Sequence, residues 1–177
     1  MNAHGATVIR PVTAADAAAI AVIYNHYVRE SIATFEEEPV ADGEIARRIA
    51  DVHRSSLPWL VAERDGSVVG YAYAVPWRAR VAYRFSAEIT NYLAPDQTGR
   101  GIGSQLYTEL FQLLEARGLH AVLGGISLPN PASVALHEKF GMKKVAHLHQ
   151  VGFKFGRWID VGFWQRLLAT QEIPDSI

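Results

Sequence analysis

The sequence predicts a single mixed α/β (α+β) domain around one central sheet, and three observations support this fold class. Strand-like and helix-like segments follow the order β, α, α, a strand meander, then β-α-β-α-β-β. The 177 residues, 49% of them hydrophobic and 20% charged, suit one globular core. We find no internal repeat, low-complexity tract or linker, so the domain is expected to span 1–177, with a frayed tail over 170–177.

The first half of the chain is predicted to form a strand, two helices and a β-hairpin. Thr13 with Asp16 three residues later is an acidic capping pattern, which separates a weakly alternating stretch from an apolar helical run. Asp65 and Gly66 form a strong hairpin signal between two apolar segments. The predicted elements are a strand over 7–12, helices over 17–24 and 39–54, and strands over 59–62 and 69–75.

Glycine and asparagine residues mark the element boundaries of the second half. Gly118 is a plausible C-cap for a leucine-rich helix, and Asn130 followed by Pro131 begins a helix that Gly141 should end. Gly156 joins the last two strands. The predicted elements are a strand over 83–93, a helix ending near 118, a strand over 121–126, a helix over 130–141, and strands over 144–154 and 158–165.

Composition and charge exclude several classes of protein. Lys and Arg number 17 against 18 Asp and Glu, so a dedicated nucleic-acid binder is not expected. No cysteine is present, which excludes disulfides, thiol nucleophiles and zinc–cysteine sites. The longest apolar run, 17–24, is far shorter than the ~18 residues of a membrane span. Without a visible signal peptide, we expect a cytoplasmic protein that binds no membrane.

The most informative segment is a glycine-rich turn between a predicted strand and a predicted helix. The turn reads Gly99, Arg100, Gly101, Ile102, Gly103 and Ser104. Glycines leave backbone N–H groups uncovered and a helix N-terminus adds unsatisfied donors, so the segment suits a pyrophosphate. It lacks the lysine of the nucleoside-triphosphate loop, and Ser104 stands where the dinucleotide fingerprint needs its last glycine. From the glycines alone, a plain turn before a helix fits equally well.

This turn resembles motif A of the GNAT superfamily of acetyl-CoA-dependent N-acetyltransferases, whose Arg or Gln, two residues, Gly, one residue and Gly or Ala bind the coenzyme A pyrophosphate. Gly101 and Gly103 match, whereas Thr98 stands at the Arg or Gln position and Gln97 lies one place early. Further segments, in order across about 8–165, are similar to the phosphinothricin and methionine sulfoximine acetyltransferase branch. They are Asn25-His-Tyr, Thr34-Phe-Glu, Pro58-Trp-Leu-Val-Ala-Glu, Ala74-Val-Pro-Trp-Arg-Ala-Arg and Val161-Gly-Phe-Trp-Gln.

The resemblance implies the GNAT fold and acetyl-CoA as co-substrate. The implied fold is a mixed sheet of about six or seven strands, with a splayed strand pair at the cofactor site and about four flanking helices. Residues 99–104 would hold the pyrophosphate, and backbone groups of Asn91, Tyr92 and Leu93 would pair with the pantetheine arm like an added strand. Asn130 matches a family asparagine that contacts the same arm.

Two residues are candidates for the catalytic chemistry. Period-2 alternation puts Ser86, Glu88 and Thr90 on one strand face, where a solvated carboxylate is the ordinary interpretation. The resemblance puts the family's proposed glutamate base at Glu88, acting directly or through water. His137 stands where many GNAT enzymes have a tyrosine near the thioester sulfur, and acid, relay and positioning roles stay open.

The candidate acceptor site combines two arginines and one aromatic residue. Arg78 and Arg80 lie close together after Trp77, and their planar forks suit a carboxylate or phosphinate. A solvated basic loop explains them equally well until the resemblance is considered, which assigns this loop to the amino-acid site. Phe35 matches an aromatic residue of the family's acceptor pocket, although a core position is nearly as well supported.

The sequence offers one further pattern with possible ligand chemistry. His147 and His149 are two residues apart in a predicted strand and share a face. A lone His-x-His pair without a third ligand is not a typical metal site, so we expect no metal.

We therefore expect a cytoplasmic enzyme that transfers acetyl from acetyl-CoA to the α-amine of a small amino acid or a glutamate-like analogue, such as phosphinothricin or methionine sulfoximine. Direct transfer in a ternary complex is favoured, because no cysteine could carry the acetyl group and no serine elbow is visible. The alternatives are a GNAT enzyme for protein N-termini or polyamines, and a non-catalytic acetyl-CoA-binding module. A polyamine site would need a carboxylate-rich pocket, and Arg78 and Arg80 argue against one.

The C-terminal strands are unusually apolar for a surface strand pair. Alternation places Val151, Phe153 and Phe155 on one face, which an ordinary core or an interface could cover. Since the branch that the chain resembles forms homodimers, we expect a two-fold homodimer whose partner chain could help to shape the acceptor pocket.

Overall fold

The computed structural model describes residues 5–169, in which one seven-stranded sheet packs with four α-helices. The predicted frayed tail, 170–177, lies outside the described residues. The helices are α1 (Ala17–Glu30), α2 (Asp42–Arg54), α3 (Ile102–Ala116) and α4 (Pro131–Lys139). The strands are β1 (Val8–Pro11), β2 (Trp59–Arg64), β3 (Ser67–Pro76), β4 (Ser86–Leu93), β5 (Ala121–Leu128), β6 (Lys143–Lys154) and β7 (Arg157–Leu167). The fold class predicted from the sequence is confirmed.

The sheet has the order β1-β2-β3-β4-β5-β7-β6. Neighbouring strands are antiparallel except β4 and β5, which run parallel. That parallel pair is short, because only Ser86–Glu88 of β4 pairs with β5, and the two strands then separate. The splayed pair that the resemblance implied is therefore present, and it leaves one edge of β4 unpaired after Glu88.

The first helix is longer than its apolar run suggested. The structure extends the predicted helix 17–24 to Glu30, because Ile20, Tyr24 and Val28 continue one buried stripe at helical spacing. The additional turns carry the chain to the edge of the cleft described below, so the correction affects where the following loop begins.

Two other predicted boundaries are also wrong by about three residues. The helix predicted over 39–54 begins at Asp42, since the preceding Ala41 has an extended backbone. The strand predicted over 83–93 begins at Ser86, because a short 3-10 helix precedes it. Element ends depend on backbone details that propensity does not resolve.

Local turn and cap signals are confirmed. Asp65 and Gly66 both have positive φ, 51° and 76°, as a two-residue hairpin turn requires. The Asn130 side chain accepts a hydrogen bond from the Ser133 N–H at 3.1 Å, so it caps α4 as predicted. Gly118 has a positive φ of 72° directly after α3, as expected of a C-terminal glycine.

The outer strands β6 and β7 expose a large aromatic surface. Val151, Phe153, Phe155 and Trp158 are each more than half exposed in the single chain, so they are not part of its core. Trp164, by contrast, is buried. None of the helices within 5–169 has the combination of length and apolar character needed to cross a bilayer.

Candidate active site

A cleft of about 770 Å³ opens where β4 and β5 separate. Its walls come from the end of α1 and the loop after it, β4, the glycine-rich turn, α3, β5, α4 and β7. Most of the residues singled out from the sequence line it. They are Phe35, Glu88, Asn91, Tyr92, Leu93, Gly99, Gly101, Gly103, Ser104, Asn130 and His137. The fork in the sheet thus brings together segments that are far apart in the chain.

The glycine-rich turn ends at the N-terminus of α3. Gly99 and Gly101 have φ of 73° and 80°, and space for a side chain is open at both, so backbone conformation is the reason for glycine there. A Cβ at Gly103 would lie 3.3 Å from Leu136 and close to Asn91, so this glycine permits close packing of α3. By helix geometry the first N–H groups of α3 have no intrahelical acceptor, which makes this end of the cleft suited to an anion.

A lysine that the sequence analysis did not single out lies at the same end. Lys139, at the end of α4, lines the cleft, and its Nζ donates to Ser104 Oγ at 2.9 Å. A cation beside a helix N-terminus is unfavourable by itself, because both carry positive charge. An anion bound between them would relieve that repulsion, so Lys139 strengthens the case for an anionic ligand group.

The side chains around the Arg or Gln position of the motif are arranged differently from one another. Thr98 lines the cleft and its hydroxyl donates to the Pro95 carbonyl at 3.2 Å. Gln97 instead bonds to Asp96 at 2.9 Å. Arg100 and Ile102 belong to the turn but do not line the cleft formed by residues 5–169, and Ile102 is buried in the core.

The unpaired edge of β4 carries a polar group without a partner. Asn91 Nδ2 is buried in the cleft wall and has no hydrogen-bond partner among the described residues. A buried donor of this kind costs free energy unless a ligand or water satisfies it. Together with the free strand edge and the anion site, it fits an elongated ligand that has an anionic group at one end.

Glu88 lies at the point where the two strands separate. Its carboxylate accepts the backbone N–H of Gly125 on β5, and a Cβ at Gly125 would lie 3.0 Å from Glu88 Oε1. Burial raises the pKa of Glu88 above its usual 4.5, and the Gly125 N–H lowers it in part. The fully solvated carboxylate that spacing alone suggested is therefore wrong, since Glu88 is partly buried.

His137 is only 4% exposed and is fixed at both ring nitrogens. Nδ1 lies 2.8 Å from the Ser133 carbonyl, which can only accept, so Nδ1 carries the proton. Nε2 lies 3.2 Å from the Tyr107 hydroxyl and accepts from it. Burial lowers the pKa of His137, so the neutral imidazole is favoured.

Tyr107 is a cleft residue that sequence reasoning missed. It sits on the buried face of α3 with Leu106 and Leu110, so its spacing resembled that of an ordinary core residue. Only the packing of α4 against α3 brings its hydroxyl to His137. Burial raises the pKa of Tyr107, so the hydroxyl keeps its proton.

The two predicted acceptor arginines lie outside the cleft lining of residues 5–169. The Arg78 guanidinium stacks over the Trp77 ring at 5.2 Å, and Trp77 contacts the cleft residue Phe163 edge-on at 5.6 Å. Arg78 is thus separated from the cleft by two aromatic rings. Arg80 is exposed and precedes a 3-10 helix.

The His-x-His pair has a third neighbour on β7. Ligand atoms of His147, His149 and Asp160 all lie within 4.8 Å of one another. Asp160 accepts from the Gln150 N–H and from both imidazoles, and these contacts lower its pKa to about 2. Lys144 Nζ lies 2.9 Å from His147 Nδ1, so the cluster is already a network of opposite charges. That no metal binds here stays a prediction.

Comparison with known proteins gives consistent matches. The acetyltransferase (GNAT) domain family matches residues 9–162. A phosphinothricin N-acetyltransferase of Streptomyces viridochromogenes is 47% identical over 89% of this chain and 86% of that protein. An L-methionine sulfoximine/L-methionine sulfone acetyltransferase of Salmonella typhimurium is 36% identical over 95% and 98%, respectively. The crystal structure of a GNAT superfamily phosphinothricin acetyltransferase from Sinorhizobium meliloti in complex with acetyl-CoA is 37% identical, with a TM-score of 0.91 over 96% of this chain and 94% of that one.

Proposed function

The chain belongs to the GNAT acetyltransferase family, and on that premise we propose that it transfers acetyl from acetyl-CoA to the α-amine of a small amino acid or a glutamate-like analogue. Phosphinothricin and methionine sulfoximine are the analogues we propose, since relatives at 47% and 36% identity carry those names. The observation that carries the proposal is the fork between β4 and β5, which joins an anion site and a partly buried carboxylate in one cleft.

The described residues fit acetyl-CoA, which would supply the acetyl group as a thioester. The N–H groups at the start of α3, with Lys139 beside them, suit the pyrophosphate. The unpaired edge of β4 and Asn91 Nδ2 suit the amide groups of the pantetheine arm. Asn130 holds the start of α4 at the same wall of the cleft.

Glu88 is the proposed general base. Only a free amine attacks a thioester, so an ammonium substrate must first lose a proton. A carboxylate with an ordinary pKa is a weak base for that step, and the raised pKa of Glu88 makes it a better one. The Gly125 N–H fixes the carboxylate toward the fork, which supports direct or water-mediated proton transfer.

His137 is proposed as a positioning group. A neutral imidazole whose Nδ1–H donates to Ser133 and whose Nε2 accepts from Tyr107 has no proton available for a leaving thiolate. Its contacts instead fix the relation between α3 and α4. Of the three roles left open by the sequence, the acid role is the one this geometry supports least.

The acceptor site is proposed to include Phe35, with Arg78 acting at longer range. Phe35 lines the cleft, whereas Arg78 reaches it only through Trp77 and Phe163. We retain Arg80 as a candidate for the same approach to the cleft. A carboxylate-bearing substrate would be attracted by these charges from outside the lining.

We also propose that the enzyme is a cytoplasmic homodimer. The exposed aromatic surface of Val151, Phe153, Phe155 and Trp158 supports an interface, because a soluble monomer rarely exposes so many large apolar groups together. Pairing about a two-fold axis would cover the same surface on both copies. Fractionation of cells would test the location.

A thiol-release assay tests the proposed activity. Wild-type protein is supplied with acetyl-CoA and a panel of amino acids, phosphinothricin, methionine sulfoximine, polyamines and peptide N-termini. We expect release of coenzyme A with the amino acids or their analogues. For an accepted substrate, Arg78→Ala and Arg80→Ala should raise KM for the acid more than for its amide. Activity confined to polyamines or peptides would contradict the proposed substrate class.

A further inference from the structure

The loop that follows α1, residues 31–35, is held through its backbone by side chains of other elements. Four consecutive carbonyls of this loop each accept from a side chain. Lys154 Nζ donates to Ser31 O at 2.8 Å and to Thr34 O at 2.8 Å, Ser127 Oγ donates to Ile32 O at 2.6 Å, and the Tyr92 hydroxyl donates to Ala33 O at 3.1 Å. Loops usually satisfy such groups with water, so this backbone is positioned by the sheet.

Lys154 is the central member of this arrangement. It lies on β6 and is 1% exposed, and its ammonium also approaches the Tyr27 carbonyl at the end of α1 at 3.5 Å. Its hydrogen-bond partners among the described residues are all backbone carbonyls, and none of its contacts is an ion pair. Burying an ammonium without a carboxylate is costly, so an apolar side chain would be the simpler way to fill this space.

The loop forms part of the cleft wall. Ala33, Thr34 and Phe35 all line the cleft. Phe35 lies directly on Gly152, where any side chain would collide with its ring. The Thr34 hydroxyl shares a 2.7 Å hydrogen bond with the Tyr24 hydroxyl, which fixes the other side of the loop. A shift of the loop backbone would therefore move the residues that face the proposed acceptor.

We propose that Lys154 is a positioning residue that holds residues 31–35 as a wall of the acceptor site. The inference rests on the proposed transferase function for its effect on substrate, while its structural part stands on the hydrogen bonds alone. Lys154 touches neither the glycine-rich turn nor the start of α3, so the effect is confined to the amine. This assigns a role to a C-terminal strand that supplies none of the candidate catalytic groups.

The test compares Lys154→Met with Lys143→Met. Both lysines lie on β6, but Lys143 is exposed, so the control removes the same charge without touching the loop. Hydrogen exchange is followed at the Ala33 and Glu36 amides, which bond to Ser31 Oγ and Thr34 Oγ1. Lys154→Met should speed their exchange by about tenfold or more, since removal of buried donors frees the loop locally.

The kinetic arm separates positioning from general damage. For an accepted amine, Lys154→Met should raise KM about tenfold, while acetyl-CoA affinity changes by less than about twofold. Ser127→Ala removes only the contact to Ile32, and it should produce a smaller change of the same kind if Lys154→Met does not fold.

Three outcomes would overturn the inference: unchanged exchange, faster exchange with an unchanged amine KM, or equal effects on amine and acetyl-CoA. If the wild-type protein acetylates no amine, the proposed function fails. The exchange data would then still decide whether Lys154 holds the loop.

Discussion

The Glu88 carboxylate accepts the Gly125 N–H across the point where β4 and β5 separate. Glu88 and Leu123 form the last paired position between these strands, so this hydrogen bond lies just inside the cleft. The contact orients the carboxylate, while burial keeps its pKa raised. The geometry of the sheet thus determines both the place and the protonation behaviour of the candidate base.

Glu88→Gln should lower kcat by ~10²–10⁴-fold, because it removes a general base. The glutamine oxygen can still accept from Gly125, so the fold and acetyl-CoA affinity should be retained. In the wild type, kcat/KM should rise with pH through the Glu88 pKa, which lies above 4.5, and this limb should disappear in the variant. Glu109→Gln, on the exposed face of α3, serves as the control. A wild-type rate for Glu88→Gln across neutral pH would exclude the base role.

Gly101→Val should weaken acetyl-CoA binding severely. Gly101 has φ of 80° at the first position before α3, and a β-branched residue resists that conformation by ~1–2 kcal/mol or more. The turn would change shape and its N–H groups would move. Calorimetry measures the affinity, with Gly43→Val on α2 as a control that meets open space. Equal affinities of a folded Gly101→Val and the control would refute the pyrophosphate assignment.

His137→Gln should destabilise the protein by ~1–3 kcal/mol near neutral pH, because it disturbs buried hydrogen bonds. The folded-state pKa of His137 lies below 6.5, so the unfolded wild type binds a proton first as the pH falls. The wild type therefore loses stability below about pH 6.5, and the variant lacks this loss. Urea unfolding at about pH 7.5 and about pH 5.5 should show a smaller difference at the lower pH. A difference that widens on acidification would contradict the neutral, buried imidazole.

Much of the fold could be predicted because its signals are local. The Asp65–Gly66 turn, the Asn130 cap and the glycine-rich turn each depend on a few adjacent residues. Contacts between distant segments could not be predicted in this way. The Tyr107–His137 pair requires α4 to pack near α3, and β7 must insert between β5 and β6 before its residues meet β5.

The same distinction explains two residues on the outer strands. Asp160 joins His147 and His149 only because the β6–β7 pairing is irregular between Leu148 and Gly152. The irregularity breaks the alternation on which the sequence argument relied. Lys154 alternates with aromatic residues and resembled a solvated lysine, whereas the fold buries it against the 31–35 loop.

Trp158→Lys should shift the protein toward the monomer. Trp158 is 62% exposed in the single chain and stacks edge-on with Phe153, so a charge there would disrupt the proposed interface. Sedimentation equilibrium at micromolar concentration should give about twice 19.5 kDa for the wild type and near 19.5 kDa for the variant. Val22→Lys on α1 replaces another exposed apolar residue and should leave the wild-type mass unchanged. A monomeric wild type would remove the basis for the interface.

The central claim is that this cleft acetylates an amine, and the mass of the product tests it most directly. Wild-type protein is incubated with acetyl-CoA and phosphinothricin or methionine sulfoximine, and the amino acid is recovered for mass spectrometry. The account predicts a product heavier by one acetyl group, formed by the wild type and strongly reduced by Glu88→Gln. Tight binding of acetyl-CoA with no acetylated product from any amine supplied would contradict the account and identify a binding module instead.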